Sequence, residues 1–240
     1  MRTILKLMLN LIVPPRCPIS GALVGESGHL SPEIWNKIHF IADPYCQTCG
    51  VPFSADLGAD ENMICASCLS TPPDYDHARA GVVYDDLTRQ LILRYKHGDH
   101  LYLVRSFLPW MENSGADLID HTDIIVPVPL HWSRMIKRRY NQAAILAAAL
   151  AKKHDKTYAP FALKRIKATA PQGRRKAQQR KDNVRGAFAL PAKTDVKNKR
   201  ILLIDDVMTS GATVNECAVI LKQAGASAVY ILAIARAVKT

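Results

Sequence analysis

Runs of consecutive aliphatic residues recur along the second half of the chain, and stretches with helical spacing separate them. The runs within 124–130, 201–204 and 229–235 are typical of strands buried on both faces, as in a parallel sheet. Apolar residues at helical spacing predict a long helix over 133–151 and a shorter one over 214–221. This strand–helix–strand alternation predicts a parallel α/β sheet with right-handed crossovers.

The dipeptide Pro72-Pro73 divides the chain into two regions of different character. Residues 1–73 hold a short amino-terminal helix and a cysteine-rich segment, and residues 74–240 hold the α/β pattern. With 240 residues, 48% of them hydrophobic, the chain has enough apolar side chains for a substantial core. The remaining predicted elements are a strand over 79–84, helices over 85–97 and 101–111, and a strand over 185–190 that rejoins the sheet.

Two adjacent carboxylates and a hydroxyl-rich turn follow the aliphatic run at 201–204. Asp205 and Asp206 come where this strand is expected to end, and the small residues 209–213 precede the next helix. The backbone N–H groups of such a turn suit a phosphate, and the helix end adds positive partial charge. Because two acids repel a phosphate, the pair favours a ligand with hydroxyls, or a hydrated Mg²⁺, between them and the phosphate. A ribose 5-phosphate has this layout; the alternative is a buried strand that ends in a polar turn with Asp206 as a helix cap.

Two Cys-x-x-Cys pairs, fifteen residues apart, contain four of the six cysteines, which are Cys46, Cys49, Cys65 and Cys68. Four thiolates at this spacing indicate a closed, structural Zn²⁺ site, and disulfides or free thiols are the alternatives. The sequence Cys17-Pro-Ile-Ser20 looks like half of another metal knuckle whose second cysteine is missing. Cys17 and His77 are either additional metal ligands or ordinary side chains.

A net charge of +11 favours anionic ligands, which include phosphates, pyrophosphate and nucleic acid. Segment 164–185 contributes eight of these charges, since it holds nine basic residues and one acid. Three interpretations fit this segment: a lid over a polyphosphate, a contact with nucleic acid, or a solvated linker. The candidate residues of a flexible loop are Arg174, Arg175, Lys176 and Arg180.

A proline-containing loop follows the aliphatic run that begins at Ile124. Pro127 and Pro129 cannot donate ladder hydrogen bonds, so this strand is expected to stop near Val126. Loops at the carboxyl ends of parallel strands are where α/β sheets bind ligands. Basic residues near the start of the next helix oppose its dipole, which favours an anionic partner over a solvated basic face. The residues predicted to hold pyrophosphate are Val128, Pro129, Leu130 and Arg134.

The first residues, Met1–Val13, are predicted to form a short amphipathic helix that packs on the body, with a weak membrane-surface role as the alternative. Lys6 interrupts the apolar run, and no small-x-small site precedes Pro14-Pro15, which is unlike a signal peptide. No stretch approaches the ~20 apolar residues of a membrane span. We therefore expect a cytoplasmic protein.

The segment from Ile201 to Thr213 resembles the phosphoribosyl pyrophosphate (PRPP) signature of the type I phosphoribosyltransferases. The Pro-Pro-Arg-Cys17 sequence, the cysteine pairs, the Val-Pro-Val-Pro-Leu loop, Tyr140-Asn141-Gln142 and the stretch from Gln172 to Phe188 extend the resemblance. Together they are similar to the ComF family of predicted phosphoribosyltransferases with zinc ribbons. Some members of that family are linked to DNA uptake during natural transformation.

The resemblance implies a type I phosphoribosyltransferase fold with a small amino-terminal zinc ribbon, PRPP as ligand, and structural zinc and magnesium as cofactors. In it Asp205 and Asp206 are the catalytic pair that binds the ribose hydroxyls. The PRPP-binding positions that the signature implies are Asp205, Asp206, Val207, Met208, Thr209, Ser210, Gly211, Ala212 and Thr213. Two departures are Ser20, where relatives often have a second cysteine, and Arg139, where many have glycine.

Three functions remain open from the sequence. The first is a Mg²⁺-dependent phosphoribosyltransferase with an unassigned acceptor, for which no general base can be named. The second is an accessory protein of the same fold that binds single-stranded DNA and a helicase-type partner, with little or no catalysis. The scarcity of aromatic residues, 7% of the chain, argues against stacking platforms for DNA. The third is a nucleotide-sensing regulator.

Overall fold

The computed structural model describes residues 13–54, 63–97, 100–131, 135, 140–167, 184–192 and 194–238. Residues 1–12 of the predicted amino-terminal helix lie outside this part of the chain. The site candidates that also lie outside it are Arg134, Arg174, Arg175, Lys176 and Arg180. Across the described ranges, no helix has both the length and the apolar character needed to cross a bilayer.

Within the described residues, five parallel strands form the central sheet, and two short strands pair antiparallel outside it. In chain order the strands are β1 (His77–Val83), β2 (Ile124–Pro127), β3 (Thr157–Tyr158), β4 (Lys164–Arg165), β5 (Phe188–Ala189), β6 (Arg200–Met208) and β7 (Ala228–Arg236). The spatial order of the central sheet is β1-β7-β6-β2-β3, so β6 lies in the middle. The predicted parallel α/β sheet is confirmed.

Helices cover both faces of this sheet. In chain order the helices are α1 (Pro32–Trp35), α2 (Ala66–Ser70), α3 (Asp86–His97), α4 (Val104–Asp120), α5 (Gln142–Lys153) and α6 (Ala212–Gln223), with a 3-10 turn at Leu101–Leu103. Helices α3, α4 and α5 pack on one face of the sheet and α6 packs on the other. Ile201 and Leu203 of β6 pack in one buried cluster with α6. Leu202 and Ile204 point the other way, into a cluster with α3, α4 and α5. Both faces of β6 are therefore buried, which explains its unbroken aliphatic run.

The cysteine-rich segment packs along the edge strand β1 instead of standing apart from the sheet. The Ala78 N–H donates to the carbonyl of Thr48 at 2.8 Å, so the turn at Cys46–Cys49 extends the hydrogen bonding of that edge. Cys46, Cys49 and Cys68 belong to the same buried cluster as the α6 face of β6. This part of the chain thus shares the core of the α/β sheet.

Three predicted elements differ from the structure. β6 does not end before the acids but runs through them to Met208, because β7 continues to pair with it that far, whereas its pairing with β2 ends at Ile204. The continuous helix predicted over 133–151 is wrong, since Asn141 is extended and its side chain caps α5 by accepting from the Ala143 N–H at 3.1 Å. The strand predicted at 185–190 does not rejoin the central sheet, because β5 pairs with β4.

Candidate functional site

A cavity of about 230 Å³ lies where β2 and β6 end at the carboxyl edge of the sheet. The loop after β2 and the loop after β6 both contribute to its wall. Among the predicted PRPP-binding residues, those that line it are Val128, Pro129, Leu130, Asp205, Asp206, Val207, Met208, Thr209, Gly211, Ala212 and Thr213. Ser210 lies in the same loop but outside this lining, and Arg134 is beyond the described residues.

The turn between β6 and α6 directs the start of that helix at the cavity. Gly211 is the residue before α6 and has a left-handed backbone, with φ of +76°. Gly211, Ala212 and Thr213 line the cavity at the amino-terminal end of this twelve-residue helix. Because the helix dipole and its first N–H groups favour negative charge, this end of the cavity suits a phosphate.

The two acids form an ion-paired cluster with a lysine from another element. The Lys96 ammonium, at the end of α3, lies 2.8 Å from the Asp206 carboxylate, and each side chain is 17% exposed. The Asp206 N–H donates to the Asp205 carboxylate at 2.8 Å. Burial and the neighbouring Asp206 charge raise the pKa of Asp205 to about 7, while Lys96 and Arg165 act in the opposite direction. Near neutral pH this cluster carries less negative charge than two separate aspartates would.

The Tyr140-Asn141-Gln142 sequence joins the loop after β2 to the end of α3. The Asn141 amide donates to the Val128 carbonyl at 3.1 Å, and the Gln142 amide donates to the Lys96 carbonyl at 3.1 Å. The buried Tyr95 hydroxyl donates to the Gln142 carbonyl at 2.9 Å. These bonds fix Lys96 opposite the acids, and they give a structural reason for a motif whose role the sequence left open.

Lys96 and Arg165 line the cavity but were missed from the sequence. Arg165 lies on β4, and its guanidinium sits 5.2 Å from the centre of the Phe188 ring of β5. The small β4–β5 sheet therefore positions a cation beside the acids. Neither residue belongs to a motif. In the sequence, Lys96 is only a lysine near the end of a predicted helix, and Arg165 is only an arginine in a basic segment.

The four paired cysteines form a metal site. Their sulfurs all lie within 4.8 Å of one another, and the Cys49 and Cys65 sulfurs are 3.7 Å apart. A tetrahedral zinc with Zn–S bonds of ~2.3 Å requires sulfurs about 3.8 Å apart, so the donor set fits a structural zinc ion. Burial and the charge of Cys49 raise the pKa of Cys68, so its thiolate is unfavourable in the absence of a metal. A bound cation stabilises the thiolate and removes this penalty. Of the two extra ligands considered, His77 instead contacts the Gln47 carbonyl at 3.0 Å.

Three contacts connect the zinc knuckle (the turn at Cys46–Cys49) and the residues just after the cysteine ribbon to the region where α6 begins. The Arg236 guanidinium donates to the Cys49 carbonyl at 3.2 Å, to the Met208 carbonyl at 3.1 Å and to the Thr209 carbonyl. The buried Tyr75, in the same cluster as the cysteines, places its hydroxyl against Gly211. Asp74 and Asn215 of α6 exchange two hydrogen bonds, at 2.8 and 2.7 Å. The knuckle and the residues that follow the ribbon therefore support the turn that resembles a phosphate-binding loop.

Replacing Gly211 by alanine is expected to lower the free energy of unfolding by about 1–2 kcal/mol, the cost of a left-handed backbone for a residue with a Cβ. That Cβ would also lie 3.2 Å from the end of Met208 and 3.5 Å from the Tyr75 hydroxyl. Thermal unfolding should show a melting temperature lower by roughly 2–8 °C. Gly25→Ala is the matched control, since nothing lies within 4 Å of the position that its Cβ would take; an equal loss there would contradict the prediction.

Comparisons with known proteins agree with this architecture. A family model described as "Double zinc ribbon domain" matches residues 8–69, and one described as "Phosphoribosyl transferase domain" matches residues 140–239. Competence protein F of Haemophilus influenzae is 29% identical over 200 residues, which are 81% of this chain and 85% of the relative. The DNA utilization protein YhgH of Escherichia coli is 30% identical over 199 residues, 80% of this chain and 83% of the relative.

Solved structures also resemble part of the chain. The purine phosphoribosyltransferase from Pyrococcus horikoshii aligns with a TM-score of 0.35 and 18% identity, over 53% of this chain and 69% of its own. The orotate phosphoribosyltransferase from Aeropyrum pernix aligns with a TM-score of 0.36 and 14% identity, over 66% and 80% of the two chains. The family assignment depends on the sequence relatives, and the two family models add a zinc-ribbon segment and a phosphoribosyltransferase-type domain. By the identity and coverage of these relatives, the chain belongs to the ComF family, together with Competence protein F and YhgH.

Proposed function

We propose that the cavity binds PRPP and that the protein is a Mg²⁺-dependent phosphoribosyltransferase. The observation that carries the proposal is the meeting of three parts in one cavity: the paired acids, the turn before α6, and the loop after β2. In the proposed complex, Asp205 and Asp206 accept hydrogen bonds from the ribose hydroxyls, and residues 209–213 hold the 5-phosphate. The loop at 128–130 then lies beside the pyrophosphate.

The residues of the chain would act mainly by position and charge. Breaking the bond between ribose C1 and the pyrophosphate oxygen leaves negative charge on the pyrophosphate and positive charge on the sugar ring. The carboxylates of Asp205 and Asp206 would stabilise the positive ring, and Lys96 and Arg165 lie close enough to offset their mutual repulsion. Mg²⁺, which binds pyrophosphate and carboxylate oxygens, would neutralise the leaving group when bound.

Calorimetry with PRPP, in the presence and absence of Mg²⁺, tests the binding half of this proposal. Saturable binding that needs Mg²⁺ and exceeds that of ribose 5-phosphate is expected. A screen for pyrophosphate release across nucleobases, amines and ammonia then tests turnover and identifies the acceptor. Absence of PRPP binding to the zinc-loaded, folded chain would refute the proposal.

The second candidate function is an accessory protein that binds DNA with little or no catalysis. It is favoured by the names of the relatives, which refer to competence and to DNA utilization, and by the net charge of +11. A single-stranded oligonucleotide should then bind with an affinity that falls steeply as salt rises. Neutralising Arg174, Arg175, Lys176 and Arg180 should weaken this binding and reduce its salt dependence. A helicase-type partner would be sought by co-purification. Salt-insensitive or absent DNA binding would remove this candidate.

A further inference from the structure

A segment that precedes the zinc knuckle repeats the knuckle's backbone. The Gly50 N–H donates to the Cys46 carbonyl at 2.8 Å, and the Gly21 N–H donates to the Cys17 carbonyl at 3.0 Å. Both glycines are left-handed, with φ of +65° and +73°. Cys46 and Cys17 also donate their own N–H groups to equivalent carbonyls five residues on, at 2.8 and 2.7 Å.

The extended segments that flank the two knuckles correspond as well. Arg16 bridges Leu23 in antiparallel fashion, and Tyr45 bridges Pro52 in the same way. Next to these bridges, the Val24 N–H donates to the Pro15 carbonyl at 3.0 Å, and the Phe53 N–H donates to the Pro44 carbonyl at 2.9 Å. Each of these residues around Cys17 lies 29 positions before its counterpart around Cys46, so the two knuckles align without a gap.

The second halves of the two ribbons also match. Ser31 precedes α1 with φ −66° and ψ 154°, and Cys65 precedes α2 with φ −71° and ψ 152°. The Ile34 N–H donates to the Ser31 carbonyl at 3.0 Å, as the Cys68 N–H donates to the Cys65 carbonyl at 2.9 Å. The four positions equivalent to the zinc-binding cysteines are therefore Cys17, Ser20, Ser31 and Ile34.

These four side chains cannot form a structural zinc site, because such sites use cysteine, histidine and carboxylate ligands. We infer that the first ribbon, around Cys17, is a metal-free copy of the second, around Cys46, closed by a hydrogen bond and apolar packing where an ion would lie. The Ser20 and Ser31 hydroxyls are 3.0 Å apart, and Cys17 is only 2% exposed. Ile34 is only 5% exposed, so it fills the fourth position as a core residue.

The first ribbon has another source of stability than a metal. The Trp35 and Phe40 rings lie 6.3 and 5.7 Å from the Trp110 ring of α4. The Ser106 hydroxyl of α4 donates to the Gly28 carbonyl. Packing on a long helix stabilises this ribbon through apolar contacts, whereas a ribbon without such support depends on its ion. The chain consequently needs one zinc ion although it matches a double-ribbon family.

Metal analysis of the purified full-length chain tests this inference. We expect about one zinc per chain in the wild-type protein, and the same content in Cys17→Ser, because Cys17 is not a ligand in this arrangement. About two zinc ions per chain, with one lost in Cys17→Ser, would overturn the inference. This measurement does not depend on PRPP binding, so its outcome is independent of the proposed function.

Restoring the cysteines tests the equivalence of the two ribbons directly. The triple variant Ser20→Cys/Ser31→Cys/Ile34→Cys should double the zinc content and, with Co²⁺, double the thiolate-to-cobalt absorption. Ala22→Cys/Leu23→Cys/Ser27→Cys is the matched control, since it adds three thiols nearby at positions without counterparts among the ligands, and its content should stay unchanged. A folded triple variant with unchanged zinc content would overturn the assignment of the four positions. If the triple variant fails to fold, the wild-type and Cys17→Ser contents still decide.

Discussion

Replacing Asp206 by asparagine is expected to raise the dissociation constant for PRPP roughly ten- to a hundredfold, because a hydrogen bond to a charged group contributes about 1.5–3 kcal/mol. The Asp206 carboxylate faces the cavity and is held by Lys96 at 2.8 Å, so its geometry is set before the ligand arrives. Calorimetry with PRPP and Mg²⁺ measures the effect. The same substitution should reduce pyrophosphate release at least as much, since the acids also face the developing positive charge of the sugar.

The matched control for this substitution is Glu112→Gln on α4. Glu112 also has an ion pair with a lysine, Lys153, at 2.7 Å, and its side chain is similarly buried, but it is not among the cavity residues. Both variants remove the charge of a carboxylate that is 15–17% exposed and paired with a lysine, so a general loss of stability from that change would appear in both. Asp206→Asn with wild-type affinity, or Glu112→Gln with an equal loss, would contradict the placement of the ribose against the acids.

The central strand and the fold class could be predicted because local sequence determines them. Ile201 to Ile204 are buried on both faces, so the aliphatic run carries its own signal, and the crossover helices follow from periodicity. The four zinc ligands were equally visible, since their spacing reflects the knuckle itself. What these features share is that the residues which determine each one are close together in the sequence.

The features that were missed depend on contacts between distant segments. Lys96 reaches Asp206 only because Gln142 and Tyr95 tie α3 to α5, and no pattern near Lys96 records this. The repeated ribbon was recognised only as half a knuckle at Cys17–Ser20 for a different reason: three of its four ligand positions hold no cysteine, and its backbone hydrogen bonds show the rest of the repeat. Sequence patterns identify metal-binding residues, whereas a ribbon without those residues is recognised by its backbone geometry.

Removing zinc with a chelator is expected to lower the melting temperature by about 10 °C and to weaken PRPP binding by roughly tenfold. The first effect follows because metal binding contributes several kcal/mol to the folding of such segments. The second follows because the knuckle supports the turn before α6, through Arg236, which donates to carbonyls of both, and through Tyr75. Differential scanning fluorimetry and calorimetry measure the two effects, and restoring zinc should reverse both.

Arg236→Met separates support of the turn from the integrity of the metal site. The variant keeps all four cysteines, so its zinc content should equal that of the wild type, while the carbonyls of Cys49 and Met208 lose their shared donor. Losing hydrogen bonds of about 1 kcal/mol each from a phosphate-binding turn should weaken PRPP binding several-fold. Lys222→Met is a suitable control, because Lys222 forms an ion pair with Asp76 away from the cavity. If Arg236→Met binds PRPP normally and chelation still weakens binding, the zinc acts through overall folding and not through the contact between knuckle and turn.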